Sequence, residues 1–512
     1  MMKHTTEIHR REFLRVIGKS GLALCAAPHI LRRAVMTSAA PNSRQPNIIL
    51  ICPDDLGYGD LGCYGQQRIE TPSVDKMASE GMRFTQFYAG TTVCAPSRCT
   101  LLSGLHTGHC LVRDNIEIDG GQMPLTPETV TIAEVLKTAG YETGCIGKWG
   151  LGPLDSTGDP NNQGFDYFCG YYNQAFVHNH YHDFVYRNGE RIDLGQDRYQ
   201  DDLFTEEALS FIERNADKPF FLDLAFTIPH AKMQVPDIGK YATESWPDNE
   251  KKFAAMVTRM DANVGTILQK LRSLGIDQKT LVIFASDNGP HREGGHSSGF
   301  FDSNGPLRGI KRDLYDGGIR VPMIAWWPGT VAAGSTSHHI GYFPDYFVTF
   351  MELAGLSAVP EKLDGISMVS ELTGDTVHQK QHEYLYWEWQ DDVAVRVGKW
   401  KNVNGALYDL ETDIGETRNI AADHPDIMAQ MERIKQEAHT DVVVPDFSAT
   451  GIGRGGLRSR NGSAHQNATA SKLRLSISSR SNSRAVKEGL YDISGKKKAK
   501  YGAHGAYVTG PD

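Results

Sequence analysis

The chain has 512 residues, of which 40% are hydrophobic and 22% are charged, and its net charge is −9. This composition excludes a wholly disordered or fibrous protein. The mild acidity argues against a polyphosphate partner, because proteins that bind nucleic acids present basic surfaces, so we predict no nucleic-acid partner. No apolar run reaches the roughly 18 residues that a membrane-spanning helix needs, and we predict no transmembrane segment.

The N-terminal 44 residues have the features of an export signal. Arg10 and Arg11 precede a short, weakly apolar stretch that ends among small residues, as in bacterial twin-arginine signals. The alternative is an amphipathic basic helix. A lipid anchor at Cys25 is disfavoured, because Leu24 stands where a small residue is required. We therefore expect a signal segment at 1–44, the twin-arginine export machinery as a partner, and a periplasmic or secreted bacterial protein.

Strand-like and helix-like segments alternate from residue 45 to residue 374. This alternation predicts an α/β fold with a large, mostly parallel sheet covered by helices on both faces. Short apolar runs predict strands over 47–52, 141–146, 220–227, 280–285 and 323–327. Helical periodicity predicts helices over 73–82, 131–139, 253–274 and 346–356.

The pattern changes near residue 375. The sequence beyond that point predicts antiparallel strands at 384–389, 393–397 and 399–403 and a helix at 425–439. We expect a catalytic domain at 45–374 and a smaller C-terminal α+β subdomain at 375–447. Residues 448–512 contain 12 Lys and Arg against three Asp and Glu, with many Ser and Gly, and are predicted to be a flexible or loosely ordered extension.

Acidic side chains follow two of the predicted strands. Asp54 and Asp55 come after the strand at 47–52, and Asp287 and Asn288 follow the strand at 280–285. Ligands of open parallel sheets bind beyond the carboxyl ends of the strands, and adjacent carboxylates repel each other unless a cation lies between them. Three carboxylates and an amide favour Ca²⁺, with Mg²⁺ as the alternative, whereas zinc sites normally recruit His or Cys. Two unrelated polar loops would also explain the pattern.

The segment that begins at Cys94 predicts a nucleophile in an anion-binding site. Pro96 favours the first turn of a helix, so Cys94 should lie at a helix N-terminus, where anions bind. Arg98 is four residues further on, about one helical turn away. A buried structural cysteine before an ordinary helix is the alternative, but such a cysteine does not require this combination of residues.

Five sequence blocks together resemble the type I sulfatase family of the alkaline phosphatase-like superfamily, in which the cysteine of Cys-x-Pro-Ser-Arg is oxidised to formylglycine. The blocks lie at 53–57, 94–104, 147–149, 286–289 and 307–322. The likeness extends from about residue 46 to about residue 440. It implies an alkaline phosphatase-like fold and, as a partner, the enzyme that generates formylglycine.

The resemblance also implies a role for each matching residue. The implied calcium ligands are Asp54, Asp55, Asp287 and Asn288, with modified Cys94 completing the shell. The implied catalytic residues, besides Cys94, are Arg98 to hold the formylglycine hydrate, Lys148 and Lys311 to neutralise sulfate oxygens, and His230 to contact or protonate the leaving oxygen.

Gly150 departs from the family pattern. Members commonly have Lys-Trp-His where this chain has Lys148-Trp149-Gly150, and that histidine helps to deprotonate the hydrate. The role must be vacant, filled by water or supplied from elsewhere. The nearby cluster of His178, His180 and His182 is one candidate source. Alternatively, these three histidines line a sugar pocket, and we treat them as candidate substrate-binding residues.

The resemblance implies an exported enzyme that hydrolyses sulfate monoesters, a sulfuric ester hydrolase. For an exported bacterial sulfatase the expected substrates are sulfated saccharides of the galactose or N-acetylgalactosamine type. The aromatic and histidine-rich stretch 167–186 suits sugar stacking, and it equally suits ordinary loop packing. Two alternatives stay open. One is a phosphonate or phosphate ester hydrolase of the same superfamily, and the other is a non-catalytic protein that binds sulfated glycans, if Cys94 is unmodified.

Overall fold

The computed structural model describes residues 45–442, apart from 119–120, 196, 358–359 and 361. The signal segment expected at 1–44 and the basic extension expected at 448–512 lie outside the described residues. Within the described ranges, no helix is long and apolar enough to cross a membrane. The seven cysteines found there all carry free thiols.

The secondary structure alternates between strands and helices along most of the described chain. The strands are β1 (Asn47–Ile51), β2 (Met82–Phe84), β3 (Phe87–Tyr88), β4 (Glu117–Ile118), β5 (Gly121–Gln122), β6 (Glu142–Lys148), β7 (Tyr167–Tyr171), β8 (Phe184–Arg187), β9 (Glu190–Asp193), β10 (Phe220–Ala225), β11 (Thr280–Ala285), β12 (Met323–Trp326), β13 (Ser335–Ser337), β14 (Gly341–Tyr342), β15 (Leu385–Trp389), β16 (Asp392–Val397), β17 (Trp400–Val403) and β18 (Ala406–Asp409). The α-helices are α1 (Pro72–Glu80), α2 (Cys94–Ser103), α3 (Ile132–Thr138), α4 (Gln200–Arg214), α5 (Asp248–Ser273), α6 (Asp316–Ile319), α7 (Pro344–Leu353), α8 (Val369–Leu372) and α9 (Pro425–Glu437).

A ten-stranded sheet forms the centre of the fold, in the order β13-β2-β12-β11-β1-β10-β6-β7-β8-β9. Its five middle strands, from β11 to β7, run parallel to one another. Strand β12 is antiparallel to both of its neighbours, and β8 and β9 continue the other side as antiparallel strands. The predicted α/β fold with a mostly parallel sheet is confirmed.

The parallel strands are mostly apolar and buried because helices cover both faces of the sheet. In β1, Ile48 and Leu50 face a core shared with α2, α3 and α7. The alternate residues Ile49 and Ile51 face a second core, shared with α1, α4 and α5. Successive side chains of a strand point to opposite faces, so each of the four apolar residues of β1 is buried in one of the two cores.

The C-terminal part of the described chain contains a four-stranded antiparallel sheet, β15 to β18, and helix α9. One face of this sheet, including Tyr386 and Val395, packs with Met431 of α9. The other face, including Trp387, packs with Tyr88 of the main body. The predicted short antiparallel sheet and helix are therefore present, whereas the domain boundaries at 374/375 and 447/448 stay predictions.

Candidate active site

Four neighbouring strands deliver most of the candidate site residues to one edge of the central sheet. In the sheet, β6, β10, β1 and β11 lie side by side and run in the same direction. Lys148 is the last residue of β6, and the chain beyond the other three strands carries His230, Asp54 with Asp55, and Asp287 with Asn288. This edge is the usual place for a ligand in an open parallel sheet.

Cys94 is the first residue of α2, directly after the extended residue Val93. Its Sγ atom lies 3.3 Å from Asp54 Oδ1 and 3.9 Å from Asp55 Oδ1. Burial, reinforced by the charge of Asp54, raises the pKa of the Cys94 thiol well above its ordinary value. An unmodified thiol at this position is therefore held protonated and is a poor nucleophile.

The acidic residues converge on Cys94. Asp54, Asp55, Cys94 and Asp287 are all buried, and one potential ligand atom from each lies within 4.8 Å of the others. Asn288 donates from Nδ2 to Asp55 Oδ1 at 2.7 Å, while its Oδ1 is buried without a hydrogen-bond partner among the described residues. Clustered carboxylates with an unused amide oxygen fit a hard divalent cation such as Ca²⁺ or Mg²⁺.

Three buried cations surround this cluster. Lys148 Nζ is 2.6 Å from Asp54 Oδ2, Lys311 Nζ is 2.7 Å from Asp55 Oδ2, and Arg98 is 2.8 Å from Asp287 Oδ2. Burial alone would lower the pKa of Lys148 and of Lys311, but the adjacent carboxylates outweigh burial and raise both pKa values. The two lysines therefore stay positively charged beside Cys94, as an anionic substrate requires.

The two ring nitrogens of His230 face oxygen acceptors. Its Nε2 atom is 3.1 Å from Asp55 Oδ2 and 3.4 Å from Glu293 Oε2, and its Nδ1 atom is 3.0 Å from the carbonyl oxygen of Ala231. Because carboxylate and carbonyl oxygens accept hydrogen bonds, the doubly protonated ring satisfies all three contacts. This is the arrangement of a proton donor.

The structure places one of the three candidate substrate-binding histidines at the site. His178 stacks on His230, with ring centroids 4.4 Å apart, and burial together with the charge of His230 lowers its pKa to about 3. His180 is buried, and its nitrogens contact the carbonyl oxygen of His230 and the side chain of Gln200, so it supports the His230 loop and is not available to a substrate. His182 packs among aromatic side chains instead.

Comparison with known proteins identifies the family. Residues 46–356 match the family model described as Sulfatase, and residues 299–441 match the model described as N-sulphoglucosamine sulphohydrolase, C-terminal. The chain belongs to the sulfatase family. The predicted family and the predicted class of enzyme, a sulfuric ester hydrolase, are both confirmed.

Curated relatives and a solved structure agree with this assignment. N-acetylgalactosamine-6-sulfatase of Canis lupus familiaris is 34% identical over 396 residues, which cover 71% of this chain and 72% of the relative. Arylsulfatase A of Homo sapiens is 31% identical over 498 residues, covering 84% and 94%. The crystal structure described as Ps i-CgsB in complex with k-i-k-neocarrahexaose has a TM-score of 0.68 and 28% identity, covering 77% of this chain and 92% of that one.

Gly150, which departs from the family pattern, lies against the side chain of Gln174 in this sulfatase. The residue has a φ of +85°, and a Cβ atom there would lie 2.2 Å from Gln174 Nε2. The Gln174 side chain thus occupies the space into which a histidine at 150 would extend. Its Nε2 atom is buried without a partner among the described residues. A histidine at 150 would therefore require the Gln174 side chain to move and the residue to keep a positive φ.

Two residues of the sulfatase site were not predicted from the sequence. Glu293 contacts His230 and also lies 4.0 Å from Lys311 Nζ. Arg312 places NH2 2.6 Å from Glu293 Oε1. The neighbouring charges outweigh burial and hold the pKa of Glu293 below its ordinary value. Arg312 directly follows Lys311, which was identified from the sequence, and this adjacency is the one sequence signal for Arg312.

Proposed function

We propose that this sulfatase hydrolyses sulfate monoesters of carbohydrates of the galactose or N-acetylgalactosamine type, through a formylglycine made from Cys94. The observation that carries the proposal is the position of Cys94 Sγ, 3.3 Å from Asp54 Oδ1 at the start of a helix and inside a ring of buried cations. The names of the relatives support the substrate class, since one acts on N-acetylgalactosamine sulfate and a solved neighbour is described in complex with a neocarrahexaose.

Oxidation of Cys94 accounts for how such a buried residue becomes a nucleophile. The raised pKa of the Cys94 thiol keeps it protonated, whereas a hydrated aldehyde at the same position supplies one hydroxyl to attack sulfur and a second to expel the sulfate afterwards. The enzyme that generates formylglycine is therefore an expected partner. Arg98, which is buried beside Asp287, would hold the hydrate in place.

A calcium ion is the proposed cofactor, with Mg²⁺ as the alternative. The residues that would hold it are Asp54, Asp55, residue 94, Asp287 and Asn288. The clustered ligand atoms and the unpartnered Asn288 Oδ1 fit such an ion. When bound, a divalent ion favours the ionised form of the hydrate and stabilises negative charge on sulfate oxygens.

The remaining side chains assist the cleavage of the S–O bond in different ways. Lys148 and Lys311 neutralise the sulfate oxygens as charge develops during bond cleavage. His230 donates a proton to the departing sugar oxygen, in keeping with a ring whose three neighbours are acceptors. His178, stacked on His230 and uncharged at neutral pH, is suited to contact the sugar rather than the sulfate.

We also propose that the protein is exported to the periplasm or beyond the cell. The paired Arg10 and Arg11 support this, and they lie outside the described residues. Fusion of residues 1–44 to a reporter that needs twin-arginine transport tests the point. Export that is lost when both arginines become lysine supports it, and export that is unaffected would contradict it.

Two measurements test the proposed activity. Mass spectrometry of the peptide that contains Cys94 should show a loss of about 18 Da, the change from thiol to aldehyde. Sulfate release should then be measured on defined sulfated galactose and N-acetylgalactosamine derivatives, with matched phosphate esters alongside. An unmodified Cys94 with glycan binding alone would favour the non-catalytic alternative. Faster hydrolysis of the phosphate esters would favour the phosphatase alternative.

A further inference from the structure

The loops that carry Lys311, Glu293 and His230 also carry exposed positive charges that the proposed mechanism does not use. Arg312 directly follows Lys311, yet its side chain is 56% exposed, whereas that of Lys311 is buried. Lys232 and Arg292 are also exposed, on the two loops beside it. We call Arg312, Arg292 and Lys232 the basic rim.

The backbone of Arg312 is fixed to the loop that leads into the nucleophile helix. Its amide donates to the carbonyl oxygen of Thr92 at 3.2 Å and to Thr92 Oγ1 at 2.8 Å. The residue has a φ of +78°, which is unfavourable for any side chain with a Cβ atom, and such conformations cluster at functional sites. Because Thr92 is two residues before Cys94, these contacts hold Arg312 at a set position relative to the nucleophile.

The guanidinium of Arg312 keeps unused donors next to the leaving-group side of the site. Its NH2 atom is 2.6 Å from Glu293 Oε1, and the other oxygen of Glu293 is 3.4 Å from His230 Nε2. That nitrogen is the one part of the guanidinium paired with a described residue. A guanidinium has five N–H donors, so the group can bind an additional anion without leaving Glu293.

The other two rim cations lie on loops that touch. A Cβ atom on Gly294 would lie 3.0 Å from the Cβ of Ala231, so the loop that follows Arg292 contacts the loop of Lys232. Within the described part of the chain, neither Lys232 Nζ nor the Arg292 guanidinium has an ion-pair partner. Exposed cations on neighbouring loops of a protein with net charge −9 produce a local positive field that attracts anions.

We propose that the basic rim, with Arg312 at its centre, binds a second sulfate group carried by the same saccharide as the ester under attack. This inference rests on the proposed function and narrows its substrate class to multiply sulfated saccharides. The planar guanidinium of arginine can hold two oxygens of one sulfate through parallel hydrogen bonds. The second sulfate is bound and not cleaved, so the rim sets specificity and leaves the chemistry at Cys94 unchanged.

Binding to a protein that cannot turn over provides the test. In a Cys94→Ala background, N-acetylgalactosamine 4,6-disulfate should bind about tenfold more tightly than N-acetylgalactosamine 6-sulfate, the size expected for a charged hydrogen-bonded contact. Adding Arg312→Ala should bring the ratio of the two dissociation constants close to one. Arg312→Lys should restore part of the ratio, and added salt should reduce it.

The control is Arg433→Ala, which removes an exposed arginine from α9 and should leave the ratio as it was. Equal affinity of the Cys94→Ala protein for the two sugars would overturn the inference, and so would equal losses for both sugars after Arg312→Ala. Sulfate release by the active enzyme tests the proposed function separately from the binding ratio. If it releases sulfate from neither sugar, the proposed substrate is wrong, while the binding ratio still decides the role of the rim.

Discussion

This protein contains two buried groups of charged residues that have different roles. The site group surrounds Cys94 and contains Asp54, Asp55 and Asp287 with three cations. The second group, which we call the Asp316 network, joins α6 to the four-stranded sheet. Its members are Tyr88, Asp316, Arg320, Arg396, Lys401 and Glu416.

The Asp316 network is an example of charge used for structure. Lys401 Nζ lies 2.7 Å from Asp316 Oδ1 and 2.9 Å from Glu416 Oε1, and all three side chains are fully buried. Arg320 approaches Asp316 at 3.2 Å. Lys401 lies in β17 and Glu416 in the loop after β18, whereas Asp316 and Arg320 belong to the main body. The network therefore joins the four-stranded sheet to the main body. No nucleophile lies in the network.

The comparison shows that buried charge alone does not mark an active site. The site group differs in three ways. It holds the proposed nucleophile, and its Asn288 Oδ1 has no hydrogen-bond partner among the described residues. Its lysines pair with Asp54 and Asp55, which are also proposed metal ligands. Removing a charge from the Asp316 network should therefore cost stability, whereas removing one from the site group should cost activity.

The largest expected effect is the loss of turnover in Cys94→Ala. Without the proposed nucleophile, kcat should fall by about six orders of magnitude, as when the nucleophile of another hydrolase is removed. The melting temperature should change little, because the substitution removes one atom from a polar cluster. Sulfate release and differential scanning calorimetry measure the two quantities. Substantial multiple turnover by Cys94→Ala or Cys94→Ser would disprove the mechanism.

The matched pair Lys401→Met and Lys311→Met tests the comparison directly. Lys401→Met leaves Asp316 and Glu416 without their shared cation, so the free energy of unfolding should fall by about 3–5 kcal/mol while kcat of the folded protein is retained. Lys311→Met should lower kcat/KM by about 10² to 10³. Its stability should fall less, because a bound divalent ion continues to neutralise Asp55. Urea unfolding with calcium present measures the first effect, and steady-state kinetics measures the second.

If both substitutions reduced stability equally, or if Lys401→Met reduced kcat as strongly as Lys311→Met, the division between the two groups would be wrong. Lys435→Met on α9, where the exposed partner is Glu432, controls for the substitution itself and should change neither quantity measurably.

The sequence predicted the site group far better than it predicted the Asp316 network. Strand β11 has the predicted bounds, because its apolar run ends abruptly at polar residues. The residues beyond such strand ends are adjacent once the strands are parallel, so Asp54 and Asp287 could be paired from topology alone. The network depends on Asp316 meeting Lys401 and Glu416, which are 85 and 100 residues away along the chain, and no local pattern encodes these two contacts.

The helix boundaries show the same limit. Helix α5 begins at Asp248, whereas apolar periodicity predicts a start near Phe253, because its first turn is acidic and contributes little to the apolar face. Helix α1 begins at Pro72, and the carboxylate of Asp261 accepts the amides of Ser73 and Val74 at its start. Helix α4 was not predicted, although its buried residues Leu203, Phe204, Ala208, Phe211 and Ile212 have helical spacing. That signal was present in the sequence.

Removal of divalent ions should have a smaller effect on stability than the loss of Lys401. An ion bound at one hundred times its Kd stabilises the native state by about 2.7 kcal/mol, so chelation should lower the melting temperature and abolish sulfate release. Added Ca²⁺ should restore both. The control is Asp54→Asn, which lacks one proposed ligand and should respond weakly. A wild-type melting temperature that does not depend on Ca²⁺ would contradict the proposed metal site.

The last prediction concerns a pH dependence, and its subject is Asp223, a buried carboxyl group that belongs to neither group of charges. It lines a small cavity with Arg98, whose Nε atom is buried without a partner among the described residues, and burial raises the pKa of Asp223 to about 6. The folded protein thus holds this proton more tightly than the unfolded chain, whose Asp titrates near 3.8. The stabilisation is complete below that value and is lost as pH rises through about 6.

Asp223→Asn removes this dependence. The free energy of unfolding of the wild type should fall between pH 4 and pH 7 relative to that of the variant. The difference between the two should change by up to about 3 kcal/mol. Asp217→Asn, at an exposed carboxyl before the same strand, should show no such change. If Asp223→Asn and the wild type had parallel pH profiles, Asp223 would be ionised in the folded protein and paired with Arg98. Asp223 would then be a member of the site group, because it would share Arg98 with Asp287.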